Sequence, residues 1–248
     1  MRRISLIAAA VFGAACLAGA ASAQAQIINE DFESYSTTAA MLAVWPGGPA
    51  TLDTANGNPG KSAFHPGGVV NARTFTAVNP TNATPLTLSV DIFDDGTSAN
   101  KRITTGLRSG ASNIVELGMF NAPAHYAFRL INFASGNPNW VAFDTAGQAG
   151  VPNSPGVRWN RFTASIGDTT TTFTLDLGAN GSIDATHIVN AVPAAAGFTE
   201  LRFGGPSGLA SAGGGANFDN ILLQAVPEPA SLSLLGIGAA TLLIRRRR

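Results

Sequence analysis

The sequence predicts an all-β fold, an antiparallel β-sandwich, for residues 26–225 of the 248-residue chain. Short runs alternate apolar and polar residues, as strands with one buried face do. One such run, 85–93, places Leu86, Leu88, Val90 and Ile92 on the same face. Turn-forming residues separate the runs at intervals of about ten residues, which is typical of sandwiches and barrels. Few windows show a helical period, and no repeat of roughly 20–50 residues indicates a propeller or solenoid.

We predict the strands from these runs, in chain order. They are 27–33, 68–76, 85–93, 101–108, 113–120, 125–133, 139–143, 157–166, 170–177, 183–189, 198–204 and 217–224. Asn180-Gly181 predicts a two-residue hairpin turn between two of them. Gly- and Pro-containing loops are expected at 46–61 and 144–156, but strands flank both, so we predict one domain.

The N-terminus predicts a secretory signal peptide over residues 1–23. Two arginines precede an apolar run, and Ala21 and Ala23 supply the small residues that signal peptidase requires at a cleavage site. Cleavage after Ala23 is expected, with Ala25 as the alternative. Cys16, the only cysteine, would be the site of lipidation, but Gly13 stands where that motif usually has leucine. The chain is therefore expected to meet the secretion machinery and signal peptidase.

The body is acidic, although the whole chain has 15 basic and 15 acidic residues. Six basic residues lie at the two tips and one acidic residue is Glu228, which leaves nine basic and fourteen acidic residues between Gln26 and Ala225. A net charge of about −5 argues against nucleic-acid binding, which needs a basic surface. Because the body has no cysteine, disulfides and thiolate metal sites are excluded there.

The C-terminal residues 226–248 combine three features: Pro227-Glu228-Pro229, an apolar segment, and a terminal cluster of four arginines. As a helix, residues 230–244 would span about 22 Å against about 30 Å of hydrocarbon, so the segment is a short transmembrane helix. The arginines favour the cytoplasmic side. The simple interpretation is a minimal single-pass anchor in the inner membrane. The arginines are Arg245, Arg246, Arg247 and Arg248.

These three features, in this order at the end of the chain, closely resemble the PEP-CTERM sorting signal. The resemblance implies a Gram-negative bacterium that makes exopolysaccharide. It also implies processing near Pro227-Glu228-Pro229 by an exosortase, after transient anchoring in the inner membrane. The product is then expected at the cell surface or in the extracellular matrix.

The two ends of the body resemble those of secreted jelly-roll domains of the concanavalin-A-like and carbohydrate-module type. The body opens with Asn29-Glu30-Asp31-Phe32-Glu33 and closes with Phe218-Asp219-Asn220-Ile221. The resemblance implies that the first and last strands pair and close the domain. It also implies a structural calcium held by Glu30 or Asp31 together with Asp219; the alternative is ordinary strand-end acids in water.

Signatures of catalysis are lacking in the sequence. There is no Gly-x-Ser-x-Gly motif, and His65, His125 and His187 have no triad or zinc-helix spacing. The carboxylates do not form a glycosidase pair on one strand face, and Glu116 is expected to face outward. We therefore predict that the chain is not an enzyme.

The segment 176–184 resembles a calcium loop, but Gly178 replaces one ligand, and the hairpin interpretation explains it without a metal.

Sugar recognition commonly uses exposed aromatic rings beside polar groups. Trp140 follows the loop segment 135–138 and is the candidate sugar contact. Packing in the core is nevertheless the expected role of each tryptophan, Trp45, Trp140 and Trp159, with stacking on arginine as the alternative for Trp159. Arg129, His125 and Glu116 are further candidates for a polar surface.

Taken together, the sequence features predict an exported surface or matrix protein with a structural or adhesive role in exopolysaccharide or biofilm. The alternatives are a lectin-like carbohydrate-binding module and, third, a polysaccharide-cleaving enzyme.

Overall fold

The computed structural model describes residues 25–97, 101–120, 125–143, 155–209 and 212–225. In these residues it is an all-β sandwich of two antiparallel sheets with one short helix, as predicted. The helix is α1 (Thr38–Val44). The strands are β1 (Ala25–Glu30), β2 (Thr51–Gly57), β3 (Gly60–Gly67), β4 (Asn71–Val78), β5 (Leu86–Asp94), β6 (Arg102–Arg108), β7 (Ile114–Phe120), β8 (Tyr126–Ile131), β9 (Val141–Ala142), β10 (Arg158–Ile166), β11 (Thr170–Leu177), β12 (Ala185–Asn190), β13 (Phe198–Gly204) and β14 (Ala212–Ala225).

The larger sheet, sheet A, has the strand order β12-β11-β10-β5-β14-β3-β2, and β1 pairs with β14 beside this path. Sheet B has the order β4-β13-β6-β7-β8-β9. The predicted pairing of the first and last strands is confirmed, because Ala25 lies opposite Ala225 and Glu30 opposite Ile221. Strand β14 has 14 residues and pairs with β3, β5 and β1. The last strand of the sandwich therefore lies beside the first.

The core lies between the two sheets and follows the alternation that the sequence predicts. Leu86, Leu88, Val90 and Ile92 of β5 are fully buried. Across the interface, Phe128 of sheet B stacks on Phe173 of sheet A, with ring centroids 4.1 Å apart. Burial of each large apolar side chain contributes about 1.5–3 kcal/mol, so these facing rows hold the sheets together.

Helix α1 was not predicted from the sequence. It has seven residues, too few for a visible helical period. Thr37 caps its first turn, accepting a 3.2 Å hydrogen bond from the amide of Ala40. Met41 and Trp45 are fully buried. These tertiary contacts stabilise a helix that would be marginal alone.

The prediction of a loop over 46–61 is wrong, because this segment contains β2 and the start of β3. Strand β2 is an edge strand, paired only with β3, and most of its side chains are partly or fully exposed. It therefore lacks the alternation of a half-buried strand. The predicted loop at 144–156 lies mainly outside the described residues.

The hairpin between β11 and β12 is confirmed, but its loop runs from 178 to 184 rather than over two residues. Two carboxylates organise this longer loop. Asp176 accepts hydrogen bonds from the amides of Asn180 at 3.1 Å and Gly181 at 2.8 Å. Asp184 accepts one from the amide of Leu177 at 2.7 Å.

No helix among the described residues is long and apolar enough to cross a membrane. The predicted signal peptide at 1–23, with its cleavage site at Ala21 and Ala23, lies outside the described residues, as do Pro227, Glu228, Pro229 and the four terminal arginines.

Candidate functional site

A charged cluster lies on the outer face of sheet B. Glu116 points away from the core between Val115 and Leu117, as predicted, yet its side chain is fully buried. The register places Arg129 directly opposite Glu116 on β8, and the Arg129 Nε lies 2.6 Å from the Glu116 Oε2. Arg202 of β13 donates to the Glu116 Oε1. Two guanidiniums therefore share one carboxylate, which leaves one net positive charge.

The connection between β13 and β14 covers this cluster through Ser207. The Ser207 amide donates to the Glu116 Oε1 at 2.6 Å, and Arg129 donates to the Ser207 carbonyl at 2.9 Å. Arg202 also donates to the Ser207 hydroxyl. Burial lowers the pKa of the Arg202 guanidinium, and the charge of Glu116 opposes that shift. The cluster is thus a hydrogen-bonded unit that fixes Arg129 in place.

Trp140 lies beside Arg129 at the β9 side of sheet B. Its ring is partly exposed and stacks on Phe120, with the centroids 4.4 Å apart and the planes at 15°. The Arg129 guanidinium carbon lies 4.5 Å from the Trp140 ring centroid, within the range of a cation–π contact. The predicted candidates Trp140, Arg129 and Glu116 are therefore neighbours. We call Trp140, Phe120 and Arg129 the Trp140 corner.

The other two tryptophans occupy different places. Trp45 is fully buried, as expected, and its indole N–H donates to Glu30 at 3.0 Å. Trp159 is partly exposed on sheet A and packs against Phe93, with centroids 5.4 Å apart.

The structure does not bring His125 into the predicted polar surface. Strand β8 begins at Tyr126, so the alternation along β8 does not govern the direction of His125. Its Nε2 instead lies 2.7 Å from the Oδ2 of Asp94 on sheet A, which also accepts a 2.7 Å bond from the Tyr126 hydroxyl. Burial alone would raise the pKa of Asp94, but these bonds and that from Gly96 outweigh it and lower the pKa.

The acids proposed as calcium ligands do not form one site. Glu30 accepts bonds from the Phe32 amide at 2.9 Å, the Tyr35 hydroxyl at 2.6 Å and the indole of Trp45. Both carboxylate oxygens of Glu30 therefore accept hydrogen bonds from neighbouring groups of the protein. Asp31 is exposed, with Oδ1 accepting from the Glu33 amide.

Asp219 is fully buried, and each of its oxygens accepts a backbone N–H, from Asn58 at 2.5 Å and Asn220 at 2.7 Å. Across the described ranges, no group of three or more His, Cys, Asp or Glu side chains is arranged to hold a metal. Because Glu30 and Asp219 already accept hydrogen bonds from the protein, we expect no calcium ion shared by Glu30 or Asp31 with Asp219. At 176–184 the carboxylates bind loop amides instead.

Sequence reasoning missed Arg202 and Ser207 as partners of Glu116. The alternation Leu201-Arg202-Phe203 indicates that Arg202 points outward, since both neighbours are buried. It does not indicate which strand lies beside β13. Ser207 stands in a connection without periodicity, so the sequence offers no signal for its role.

Several solved structures are similar to this chain. Domain 4 of AbnA, an extracellular arabinanase from Geobacillus stearothermophilus solved with arabinotriose, has a TM-score of 0.53 and 12% identity, over 84% of this chain and 96% of that one. Cellulose induced protein Cip1 has a TM-score of 0.48 and 16% identity, over 79% and 96%. The VIP36 lumenal domain, in a Ca²⁺/Man3GlcNAc-bound form, has a TM-score of 0.43 and 10% identity, over 75% and 84%. At 12% identity, the likeness to domain 4 of AbnA shows the sandwich fold alone.

Sequence comparison finds no matching protein among curated ones. Residues 225–248, however, match the family described as the PEP-CTERM protein-sorting motif. This match confirms the resemblance of the tail and implies an exported protein. The chain is thus a jelly-roll β-sandwich that carries a PEP-CTERM protein-sorting motif at its carboxyl end.

Proposed function

We propose that this protein is exported, transiently anchored in the inner membrane, and processed by an exosortase near Pro227-Glu228-Pro229. The sorting motif at residues 225–248 supports this route. Arg245–Arg248 stay on the cytoplasmic side while the sandwich crosses, because the positive charges resist translocation. The processed sandwich then resides at the cell surface or in the extracellular matrix.

There the sandwich serves a structural or adhesive role and contacts exopolysaccharide through the Trp140 corner. The observation that carries this proposal is the partly exposed Trp140 ring, held by Phe120 at 4.4 Å and Arg129 at 4.5 Å. Because Phe120 stacks on the ring and the Arg129 guanidinium lies over it, the exposed part of Trp140 is an apolar edge that contacts the C–H groups of a sugar. The adjacent guanidinium donates to the sugar hydroxyls. Because Arg129 is itself held by Glu116 and Ser207, the surface is ordered before a ligand arrives.

Binding of the full-length chain to the host's own exopolysaccharide tests this proposal. Trp140→Ala should reduce the bound fraction at least fivefold. Phe64→Ala is the matched control, since Phe64 is an exposed aromatic (37%) on sheet A. Equal loss in both variants, or no loss with Trp140→Ala, would reject the Trp140 corner as the contact.

A dedicated lectin-like module is the second candidate, and the same geometry favours it. Saturable binding of a single defined oligosaccharide, lost with Trp140→Ala, would distinguish it from a matrix protein with weak and general glycan contact. We propose no catalytic role, because Glu116, the carboxylate that Arg129 of the Trp140 corner contacts, accepts hydrogen bonds on both oxygens from Arg129, Arg202 and Ser207. Release of new reducing ends or unsaturated products from a polysaccharide would contradict this.

A further inference from the structure

A polar cleft lies on the outer face of sheet A, on the opposite side of the sandwich from the Trp140 corner. Its volume is about 450 Å³, and it is lined by Asn29, Asn58, Ser89, Arg161, Asn220 and Leu222. These residues come from β1, β5, β10, β14 and the β2–β3 turn, which strand pairing brings together. We call it the sheet A cleft.

Asp91 does not itself line the sheet A cleft, but it holds three of the side chains that do. It is fully buried and accepts two bonds from Arg161, from Nε at 2.7 Å and Nη2 at 2.8 Å. The side-chain amides of Asn58 and Asn220 also donate to Asp91, at 3.0 Å and 2.9 Å. Three side chains that line the cleft are therefore oriented by one carboxylate, so a ligand need not order them.

These fixed groups keep hydrogen-bonding capacity for a ligand. A guanidinium has five N–H donors, and Arg161 gives two of them to Asp91. Within the described residues no acceptor takes the other three, and the Arg161 side chain is 37% exposed. Asn220 uses both amide hydrogens, on Asp91 and on the Asn58 carbonyl, which leaves its Oδ1 as an acceptor. Ser89 adds a hydroxyl, and Leu222 adds an apolar surface.

The charges around the sheet A cleft favour an uncharged ligand. Asp176 acts electrostatically on Arg161, and Glu33 acts on Asp219. Closer in, Asp91 and Asp219 are two acidic side chains beside the guanidinium of Arg161. Both carboxylates are fully buried, so they repel an anion without offering ligands to a cation. A neutral sugar has hydroxyls that donate and accept together with apolar C–H faces, which matches this mixed lining.

We propose that the sheet A cleft binds a neutral saccharide and is a second glycan site, separate from the Trp140 corner. Arg161 and the Oδ1 atoms of Asn58 and Asn220 bind sugar hydroxyls, and Leu222 contacts the sugar's apolar face. Because the two sites lie on opposite sheets, one protein molecule can bind two polysaccharide chains at once. Such cross-linking is consistent with a role in an extracellular matrix.

Two matched substitutions on β5 test this site. Ser89 and Thr87 point to the same outer face, two residues apart, and each lies 3.4 Å from one β10 hydroxyl. Ser89→Phe fills the sheet A cleft, whereas Thr87→Phe places the same ring outside its lining. Both positions lie on the solvent side of a strand, where phenylalanine is compatible with β-structure. Arg161→Lys keeps the positive charge beside Asp91 but removes the forked donors.

Calorimetric titration of the full-length chain, held in a detergent without sugar headgroups, uses arabinotriose, cellotetraose and xylotetraose as probes. We expect at least one probe to bind, with affinity reduced tenfold or more by Ser89→Phe and about fivefold by Arg161→Lys. Thr87→Phe should change that affinity less than twofold.

Binding lost with Trp140→Ala but kept with Ser89→Phe would overturn the sheet A cleft while supporting the Trp140 corner. Equal losses in Ser89→Phe and Thr87→Phe, or no binding of any of the three probes, would also overturn it. The exopolysaccharide experiment on Trp140 does not depend on this outcome.

Discussion

Two buried groups, His65 and Asp219, should have opposite effects on stability in the same pH range. His65 is fully buried, accepts a 2.9 Å bond from the Gly67 amide, and packs edge-on against Phe203. Burial lowers its pKa from 6.5 to about 4. Because the unfolded chain binds this proton more readily, the free energy of unfolding falls by about 3 kcal/mol as the pH drops from 6.5 to 4.

Asp219 changes stability in the other direction. Burial raises its pKa from 3.8 to about 6, although the amides of Asn58 and Asn220 bind its charged form. Here the folded chain binds the proton more readily. The free energy of unfolding therefore rises by about 3 kcal/mol as the pH drops from 6 to 3.8, and this contribution is lost as the pH rises again. In the wild type the two effects nearly cancel.

Asp219→Asn removes one of the two effects and exposes the other. We expect the unfolding free energy of the variant to fall by about 2–3 kcal/mol more than that of the wild type between pH 6.5 and 4. The substituted amide also costs stability by facing backbone donors, but that cost is the same at every pH. The prediction therefore concerns the slope against pH and not the absolute stability.

Urea unfolding followed by tryptophan fluorescence at pH 4, 5, 6 and 7 measures this slope. The control is His65→Asn, which keeps an acceptor for the Gly67 amide without titrating. It should become more stable by about 3 kcal/mol from pH 6.5 to 4, the reverse of Asp219→Asn. A flat profile in Asp219→Asn would refute the reasoning, since it would mean that burial does not set these two pKa values.

Three further predictions follow from the structure and the sorting motif. Deletion of residues 226–248 should abolish surface attachment in cell fractionation but leave a soluble sandwich with an unchanged melting temperature; an insoluble product would contradict the domain boundary. Glu116→Gln should cost about 3–5 kcal/mol in urea unfolding, because the buried guanidinium of Arg202 and the partly buried one of Arg129 lose their carboxylate, whereas Glu200→Gln, at a part-exposed pair, should cost less than about 1 kcal/mol. Exchanging calcium for a chelator should shift the melting temperature by less than about 1 °C, as Glu30 is engaged in the core; a shift of several degrees would show a bound metal.

The sequence alone determined the class of fold, because burial of one face imposes a period of two along each strand. Most strands were predictable in this way. The hairpin after Asp176 followed from the Asn180-Gly181 turn, and the pairing of the two ends from the resemblance to jelly-roll domains. Helix α1 and the edge strand β2 were not, since a seven-residue helix and an exposed edge carry too little periodic signal. The tail was identifiable without a structure because its features adjoin in the chain.

Only the tertiary structure decided which side chains meet on the two outer faces. The sequence shows that Glu116, Arg129 and Arg202 point outward, but not that β13, β6, β7 and β8 follow one another in sheet B. The sheet A cleft likewise depends on the adjacency of β5, β10 and β14, whose residues lie far apart in the chain. Alternation is a local property of one strand, whereas strand order results from packing of the whole core, so the sites could be assembled only from the folded chain.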